Sequence, residues 1–254
     1  MMGMAALEEQ GGCRTGTDGL LMNSELLLHA WREMLPPEIC ISAGPIVLNP
    51  SALTEQERAS AGPVDQDRLL ELQNGRMYAK QALTTIGCPA ADIPVAADRS
   101  PVWPCGVVGS ITHTSWPGGG HVAVAVGLIA HFDAIGIDVE REAVLWPTVW
   151  EYILTPREQE QIGILSPEAR SAQVQTIWCV KEAIRKAGLR SIEPTSIEVE
   201  HELPSDQHDQ LSWSGRARYI NGSPKTWHGR TIRSQGLILT AVAVLNHADS
   251  NKCF

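Results

Sequence analysis

Two acidic residues stand at alternate positions in the segment 136–140, whose sequence is GIDVE. On a β-strand, alternate side chains point to the same face, so Asp138 and Glu140 would project together, about 6.6 Å apart along the chain. Neighbouring carboxylates repel each other unless a cation lies between them or a pKa is raised. Oxygen ligands of this kind suit Mg²⁺ or Mn²⁺ that also carries water and a substrate phosphate. An isolated Asp-X-Glu pair is equally typical of solvated acids at an exposed strand end.

A second group of charged residues occupies the segment 178–186, with the sequence WCVKEAIRK. On a helix, Glu182 and Lys186 are four residues apart and share one face, whereas Lys181 and Arg185 share the adjacent face. A glutamate flanked by three cations is well placed to touch a metal–phosphate group. The alternative is a solvated helix face with i,i+4 ion pairs. We expect Trp178 to belong to the core.

Four further side chains are candidate phosphate ligands. His113 ends the strand-like stretch GSITH beside Gly-rich turns, where it could donate to a phosphate oxygen or serve as a structural hydrogen-bonding group. Arg68 and Arg76 are eight residues apart, slightly over two helical turns, and would lie on about one face. Helix arginines are commonly solvated, and Arg99, in a loop before SPVWP, is ambiguous.

Composition and missing motifs exclude several other classes. The chain has no P-loop, GxGxxG, GxSxG or HExxH motif. A net charge of −9 over 254 residues argues against a general nucleic-acid binder. We expect no transmembrane helix, because no apolar run reaches about 18 residues, and no signal peptide, so a cytoplasmic location is predicted. The six cysteines form no CxxC pair and are predicted to be buried, reduced thiols.

Hydrophobic periodicity and capping signals predict the elements that carry these residues. Ser24 is the predicted N-cap of the first helix, and TEQE from Thr54 is a capping-box pattern. The predicted helices span 24–35, 67–86 and 176–188. The predicted strands span 46–48, 107–112, 121–128, 134–139, 197–200 and 237–245.

The second half of the chain repeats the order of the first. A shift of 101 residues places Thr54 and Glu57 on Thr155 and Glu158, and it places KQALTTIG from position 80 on KEAIRKAG from position 181. After a 17-residue insertion, AVAV at 123–126 falls on AVAV at 241–244. Such an order suggests an internal duplication. It predicts two similar α+β lobes, each a helix packed on a small antiparallel sheet, related by a pseudo-two-fold axis. The predicted lobes are 1–130 and 131–254, with the site at their seam.

Taken together, GRMYAKQAL, VWPCGVVGSITHT, GIDVE, LTPREQE and WCVKEAIRK occur in this order over residues 68–190. This pattern resembles the 4′-phosphopantetheinyl transferases of the surfactin and enterobactin type, and it is nearest to the enterobactin branch. The family's fold is two similar α+β lobes with the site between them. Its reaction moves 4′-phosphopantetheine from coenzyme A to a serine of an apo carrier protein, such as those of peptide, polyketide or siderophore synthases. The by-product is adenosine 3′,5′-bisphosphate.

The resemblance implies roles for the matched positions. Asp138, Glu140 and Glu182 would hold Mg²⁺, with Mn²⁺ as an alternative, on the coenzyme A diphosphate. Glu182 would be the base for the carrier serine, and Lys186 would bind the transferring phosphate and stabilise the leaving one. His113 would hold the diphosphate, and Lys181 would lie on the same coenzyme. The 3′-phosphate would be gripped by Arg76, with Arg68 and Arg99 aligned less closely. The partners implied are coenzyme A and a carrier protein, with no nucleic acid and no membrane, and the enzyme is expected to be a monomer.

Two other functions would use the same residues. A degenerate relative could bind coenzyme A or a carrier without transfer, although intact Asp138, Glu140, Glu182 and Lys186 argue against decay. A metal-dependent phosphohydrolase could use the same carboxylates and would release phosphate without a carrier. The sequence contains GIDVE followed by Arg141 and Glu142, which departs from the continuation common in relatives. We expect this departure to alter the surface and leave the chemistry unchanged.

Overall fold

A computed structural model describes residues 23–48, 50–89, 92–189, 192–201, 210–220 and 223–246. The helices are α1 (Ser24–Met34), α2 (Glu55–Ala61), α3 (Gln66–Thr85), α4 (Trp150–Ile153), α5 (Pro156–Gly163) and α6 (Pro167–Ile184). The strands are β1 (Cys40–Pro45), β2 (Val107–Trp116), β3 (Gly119–Leu128), β4 (Phe132–Arg141), β5 (Ile197–His201), β6 (Gln210–Ile220), β7 (Ser223–Ser234) and β8 (Leu237–Leu245). No helix within these ranges is long and apolar enough to cross a membrane.

The described strands form two antiparallel sheets, each covered by one long helix, which confirms the α+β prediction. The first sheet has the order β1-β3-β2, and α3 packs on it. The second has the order β4-β8-β7-β6-β5, and α6 packs on β4 and β8. In the first lobe Ala82 and Val124 belong to one buried core, and in the second Ala183 and Val242 do. In the sequence repeat, Ala82 corresponds to Ala183 and Val124 corresponds to Val242.

The short helices α2 and α5 begin in the same way in the two lobes. Thr54 and Thr155 each form a capping box with the glutamate three residues later, Glu57 or Glu158. Each of these glutamates also accepts a backbone N–H from a following segment and an ammonium proton from the long helix, where Lys80 and Lys181 occupy equivalent positions. The repeated residues therefore make repeated contacts.

The two sheets meet where β2 lies beside β4. The Ile137 N–H donates to Ser110 Oγ and the Val139 N–H donates to Thr112 Oγ1, both at 3.1 Å. The constant offset of 27 residues shows that the two strands run parallel there. The buried hydroxyls satisfy backbone donors of β4 that would otherwise be unpaired. We call this junction between β2 and β4 the seam.

Several details differ from the sequence predictions. Asn23, not Ser24, caps α1, because its side chain accepts the N–H groups of Glu25 and Leu26. The prediction of a strand at 46–48 is wrong, because the edge strand that pairs with β3 is Cys40–Pro45. The segment 201–230 has no predicted role, yet β6 and β7 extend the second sheet to five strands.

The cysteine prediction is confirmed only in part. The four cysteines within the described ranges are free thiols. Only Cys179 is buried, whereas Cys105 is exposed and Cys40 and Cys88 are partly exposed. The other two, Cys13 and Cys253, lie outside the described residues.

Candidate functional site

Asp138 lies at the seam with its carboxylate buried. The helix α6 packs so closely on β4 that a Cβ at Gly136 would overlap the Ala183 carbonyl, which explains the glycine of GIDVE. Asp138 Oδ1 accepts a hydrogen bond from Thr112 Oγ1 at 3.1 Å and from Lys186 Nζ at 2.6 Å. Its other oxygen, Oδ2, is buried without a hydrogen-bond partner in the described part of the chain.

Glu140 lies two residues after Asp138 on β4, so the two side chains share a face of the strand, as the alternation predicts. Trp178 Nε1 donates to Glu140 Oε1 at 2.9 Å, so this indole makes a polar contact with the site and is not only a core residue. Burial, helped by the charge of Asp138, raises the pKa of Glu140 to about 8. The Trp178 hydrogen bond and the charge of Lys186 oppose this rise, whereas the charge of Glu182 adds to it. Glu140, Asp138, Glu182 and Lys186 therefore form one electrostatically coupled cluster.

Glu182 lies near the end of α6, and Lys186 lies in the turn that follows it. The helix ends at Ile184 and continues as a π-helical turn over Arg185–Leu189. Arg185 Nη1 donates to Glu182 Oε1, and Lys186 reaches across to Asp138. Burial has the largest influence on the pKa of His113 on β2, and the charges of Lys186 and Asp138 have smaller ones, so His113 is within electrostatic range of these two side chains.

His113 and Arg68 contact each other across the first lobe. Arg68 Nη1 donates to His113 Nε2 at 2.9 Å, so this ring nitrogen is the acceptor. Glu71, one turn along α3, lies 3.1 Å from Arg68 Nη1 and 3.4 Å from His113 Nε2. Burial is the main cause that lowers the pKa of His113, and the charge of Glu71 opposes it. A neutral imidazole and a guanidinium thus face one carboxylate.

Three predicted ligands, Lys181, Arg99 and Arg76, are not brought into this cluster. Lys181 is fully buried, and its Nζ donates to Glu158 at 2.6 Å and to the Ile153 carbonyl at 2.7 Å. This placement disagrees with the predicted contact between Lys181 and the coenzyme, because the ammonium group is buried inside the second lobe. Arg99 is exposed on a turn and has a positive φ of 66°.

Arg76 is the third of these ligands, and its contacts lie within the first lobe. Its Nε donates to the Ile93 carbonyl at 2.5 Å, and the residue is buried. Burial lowers the pKa of Arg76 to about 10, with Glu57 opposing and Arg68 adding to the shift. Arg76 also lines a cavity of about 280 Å³ together with Lys80.

The donor set at the seam fits a divalent cation. Asp138 Oδ2 is a buried carboxylate oxygen without a partner among the described residues. The pKa of Glu140 is raised mainly by burial and further by the charges of Asp138 and Glu182, so a cation placed here would offset both effects. Within the same part of the chain, no three His, Cys, Asp or Glu side chains are already grouped closely enough to hold a metal. Lys186 and Arg185 instead hold Asp138 and Glu182. Cation binding would therefore require these ion pairs to rearrange.

Three contributors to the site were missed by the sequence reasoning. Thr112 and Trp178 donate to the two acids of β4, and Glu71 pairs with Arg68 and lies beside His113. Only Glu71 carries a local signal, because it stands three residues after Arg68 on the predicted helix. The contacts of Thr112 and Trp178 join separate elements and depend on how these pack.

Comparison with known proteins gives two matches to family models. Residues 56–127 match the 4′-phosphopantetheinyl transferase N-terminal domain, and residues 134–241 match the 4′-phosphopantetheinyl transferase superfamily. The two matched ranges fall on the two sheets described above.

Individual relatives agree with these matches. The chain is 30% identical over 191 residues to the 4′-phosphopantetheinyl transferase Npt of Nocardia iowensis, covering 70% of this chain and 83% of Npt. It is 30% identical over 178 residues to PptT of Mycobacterium tuberculosis, covering 66% and 76%. It is 28% identical over 204 residues to Svp of Streptomyces mobaraensis, covering 76% and 79%. On these matches the chain is a transferase that belongs to the 4′-phosphopantetheinyl transferase superfamily.

Proposed function

We propose that the seam cluster is where this chain transfers 4′-phosphopantetheine from coenzyme A to a serine of an apo carrier protein. The family supplies the activity, and the surroundings of the Asp138 carboxylate support this location for it. One oxygen of this buried carboxylate is held by Lys186, and the other has no hydrogen-bond partner within the described chain. A buried acid in this state is suited to a cation and a phosphate.

The family implies a divalent metal, and we propose Mg²⁺ held by Asp138, Glu140 and Glu182. When bound, such a cation supplies positive charge against the diphosphate oxygens of coenzyme A. Trp178 orients Glu140, and Thr112 orients Asp138, through the hydrogen bonds described above. Such second partners of metal-binding side chains fix the orientation of the ligands.

The chemical step needs a base and a cation. Serine is a weak nucleophile until its hydroxyl proton is removed, and Glu182 is the proposed acceptor of that proton. The serine oxygen then forms a bond to the phosphorus that carries pantetheine. The bond from this phosphorus to the bridging oxygen breaks, and adenosine 3′,5′-bisphosphate leaves with that oxygen. Lys186 is placed to stabilise the charge that grows on the leaving phosphate.

Arg68 and His113 are the proposed ligands of a coenzyme phosphate. Because Arg68 Nη1 lies 2.9 Å from His113 Nε2, both would face the same phosphate group. A guanidinium can grip phosphate with paired hydrogen bonds. Arg76 and Arg99 stay predicted ligands of the 3′-phosphate, whereas Lys181 is omitted from the proposal.

The finer assignments belong to the same proposal. They are an enterobactin-type carrier system, action as a monomer because both lobes lie in one chain, and a cytoplasmic location where coenzyme A is available. The family matches favour transfer over a binding module or a phosphohydrolase.

The test is to incubate the protein with coenzyme A, Mg²⁺ and an apo carrier and to measure the carrier mass. A gain of one phosphopantetheine group is expected from the wild-type chain. Asp138→Asn keeps the shape of the side chain and should abolish the gain. An unmodified carrier together with free phosphate would instead identify a hydrolase, and full transfer by Asp138→Asn would contradict the assigned site.

A further inference from the structure

Glu71 is an acidic residue in a place that is proposed to receive phosphate. Its Oε2 lies 3.1 Å from Arg68 Nη1 and 3.4 Å from His113 Nε2. Its Oε1 accepts a hydrogen bond from Ser115 Oγ at 3.4 Å. Glu71 therefore connects α3 with β2, pairs with Arg68 and lies beside His113.

These side chains remain accessible from outside. The exposed fractions are 35% for Arg68, 28% for His113 and 19% for Glu71. A ligand can therefore reach Arg68 and His113 without unfolding of the lobe. An anion that approaches Arg68 and His113 meets a carboxylate already placed against them.

We infer that Glu71 is an internal counter-ion that competes with a phosphate of coenzyme A for Arg68 and His113. This inference rests on the proposed function of these two residues. In the free protein the carboxylate satisfies the guanidinium and holds it near the imidazole. When phosphate binds, its negative charge must share or displace these contacts, and Glu71 then repels it. Glu71 would thereby weaken the binding of coenzyme A and favour release of the bisphosphate product.

The physical consequence has a definite sign. Glu71→Gln keeps the size of the side chain and an oxygen that can accept from Arg68, but it removes the negative charge. If Glu71 only positioned Arg68, this substitution would leave affinity unchanged or weaken it. As a counter-ion, its removal should tighten coenzyme A binding by roughly five- to thirtyfold at low salt, since partly exposed charges a few ångströms apart interact at this level. The gain should shrink as salt rises from about 0.01 M to about 1 M.

The experiment is calorimetric titration of the full chain with coenzyme A and with 3′-dephospho-coenzyme A. Glu33→Gln is the matched control, because it makes the same change of net charge at an exposed position on α1. Tighter binding by Glu71→Gln and not by Glu33→Gln supports the inference. A gain for coenzyme A alone assigns the 3′-phosphate to this place, and an equal gain for both ligands assigns the diphosphate. Unchanged or weaker binding in Glu71→Gln, or an equal gain in both variants, overturns it.

A second measurement separates this inference from the proposed function. The carrier mass gain measures transfer whatever the affinity for coenzyme A. If wild type and Glu71→Gln both modify the carrier but bind coenzyme A equally, the counter-ion role fails and the transferase assignment stands. If neither modifies the carrier while Glu71→Gln binds coenzyme A more tightly, the counter-ion role stands and the transfer site must be sought elsewhere.

Discussion

Lys181 and Glu158 form an ion pair in which neither side chain is exposed, with Nζ 2.6 Å from Oε2. The same lysine donates to the Ile153 carbonyl, and the same glutamate accepts the N–H groups of Thr155 and Val199. Glu158 thus binds α6, the start of α5 and β5 together. The first lobe has an equivalent pair, Lys80 and Glu57, in which the lysine is 31% exposed. These two pairs are structural counterparts that differ in their access to water.

This difference predicts unequal losses of stability. Lys181→Met should lower the free energy of unfolding by about 3–5 kcal/mol, because it leaves a buried carboxylate without its cation. Lys80→Met should lower the free energy of unfolding by less, because water can enter the partly exposed space left by the lysine and solvate the Glu57 carboxylate. Urea unfolding measures both values. In Lys181→Met protein that is still folded, carrier modification should stay near the wild-type rate. A large loss of rate would instead indicate that Lys181 belongs to the transfer site.

Hydroxyl groups at the seam predict a separation of stability from activity. Thr112→Val and Ser110→Ala each leave a buried N–H of β4 without its acceptor, and each should cost about 1–3 kcal/mol. Only Thr112 also touches Asp138. We therefore expect kcat/KM to fall by about tenfold in Thr112→Val and to stay nearly unchanged in Ser110→Ala. Equal effects of the two variants on kcat/KM would argue against orientation of Asp138 by Thr112.

The two arginines of α3 should respond differently to truncation. Arg68→Ala should raise the Kd of coenzyme A by roughly ten- to a hundredfold, because it removes a charge-assisted contact at an accessible position. Arg76→Ala should first lower stability, by about 1.5–3 kcal/mol, since it leaves the Ile93 carbonyl without its buried donor. Calorimetry and urea unfolding of both variants test this. A selective loss of affinity for coenzyme A over its 3′-dephospho form in folded Arg76→Ala would make Arg76 the 3′-phosphate ligand.

His121 predicts a loss of stability in acid. It is buried on β3, where its Nε2 lies 3.4 Å from Trp31 Nε1, and burial lowers its pKa from 6.5 to about 4. The folded state therefore binds this proton more weakly than the unfolded state. The contribution is fully present above pH 6.5 and is lost progressively as the pH falls towards 4, by about 3 kcal/mol in all. Urea unfolding of wild type and His121→Gln between pH 7 and 4 checks it. Parallel pH profiles for the two proteins would refute the assignment to His121.

The sequence by itself determined the features that depend on local periodicity. Alternation along GIDVE placed Asp138 and Glu140 on one face of a strand, and the capping boxes at Thr54 and Thr155 were legible from residues three apart. The repeated order of these signals also indicated two α+β lobes. These predictions succeed because a strand or a helix end is governed by its own few residues.

Only the tertiary structure decided which charged residues meet. Lys181 and Lys186 are both cations of one motif, but α6 ends at Ile184 and a π-helical turn carries Lys186 towards Asp138, while Lys181 stays on the helix face that packs against Glu158. Thr112, Trp178 and Glu71 likewise acquire their partners from other elements. Helical spacing states which side chains share a face, but the packing of α6 between β4 and α5 determines whether that face meets the seam or the core.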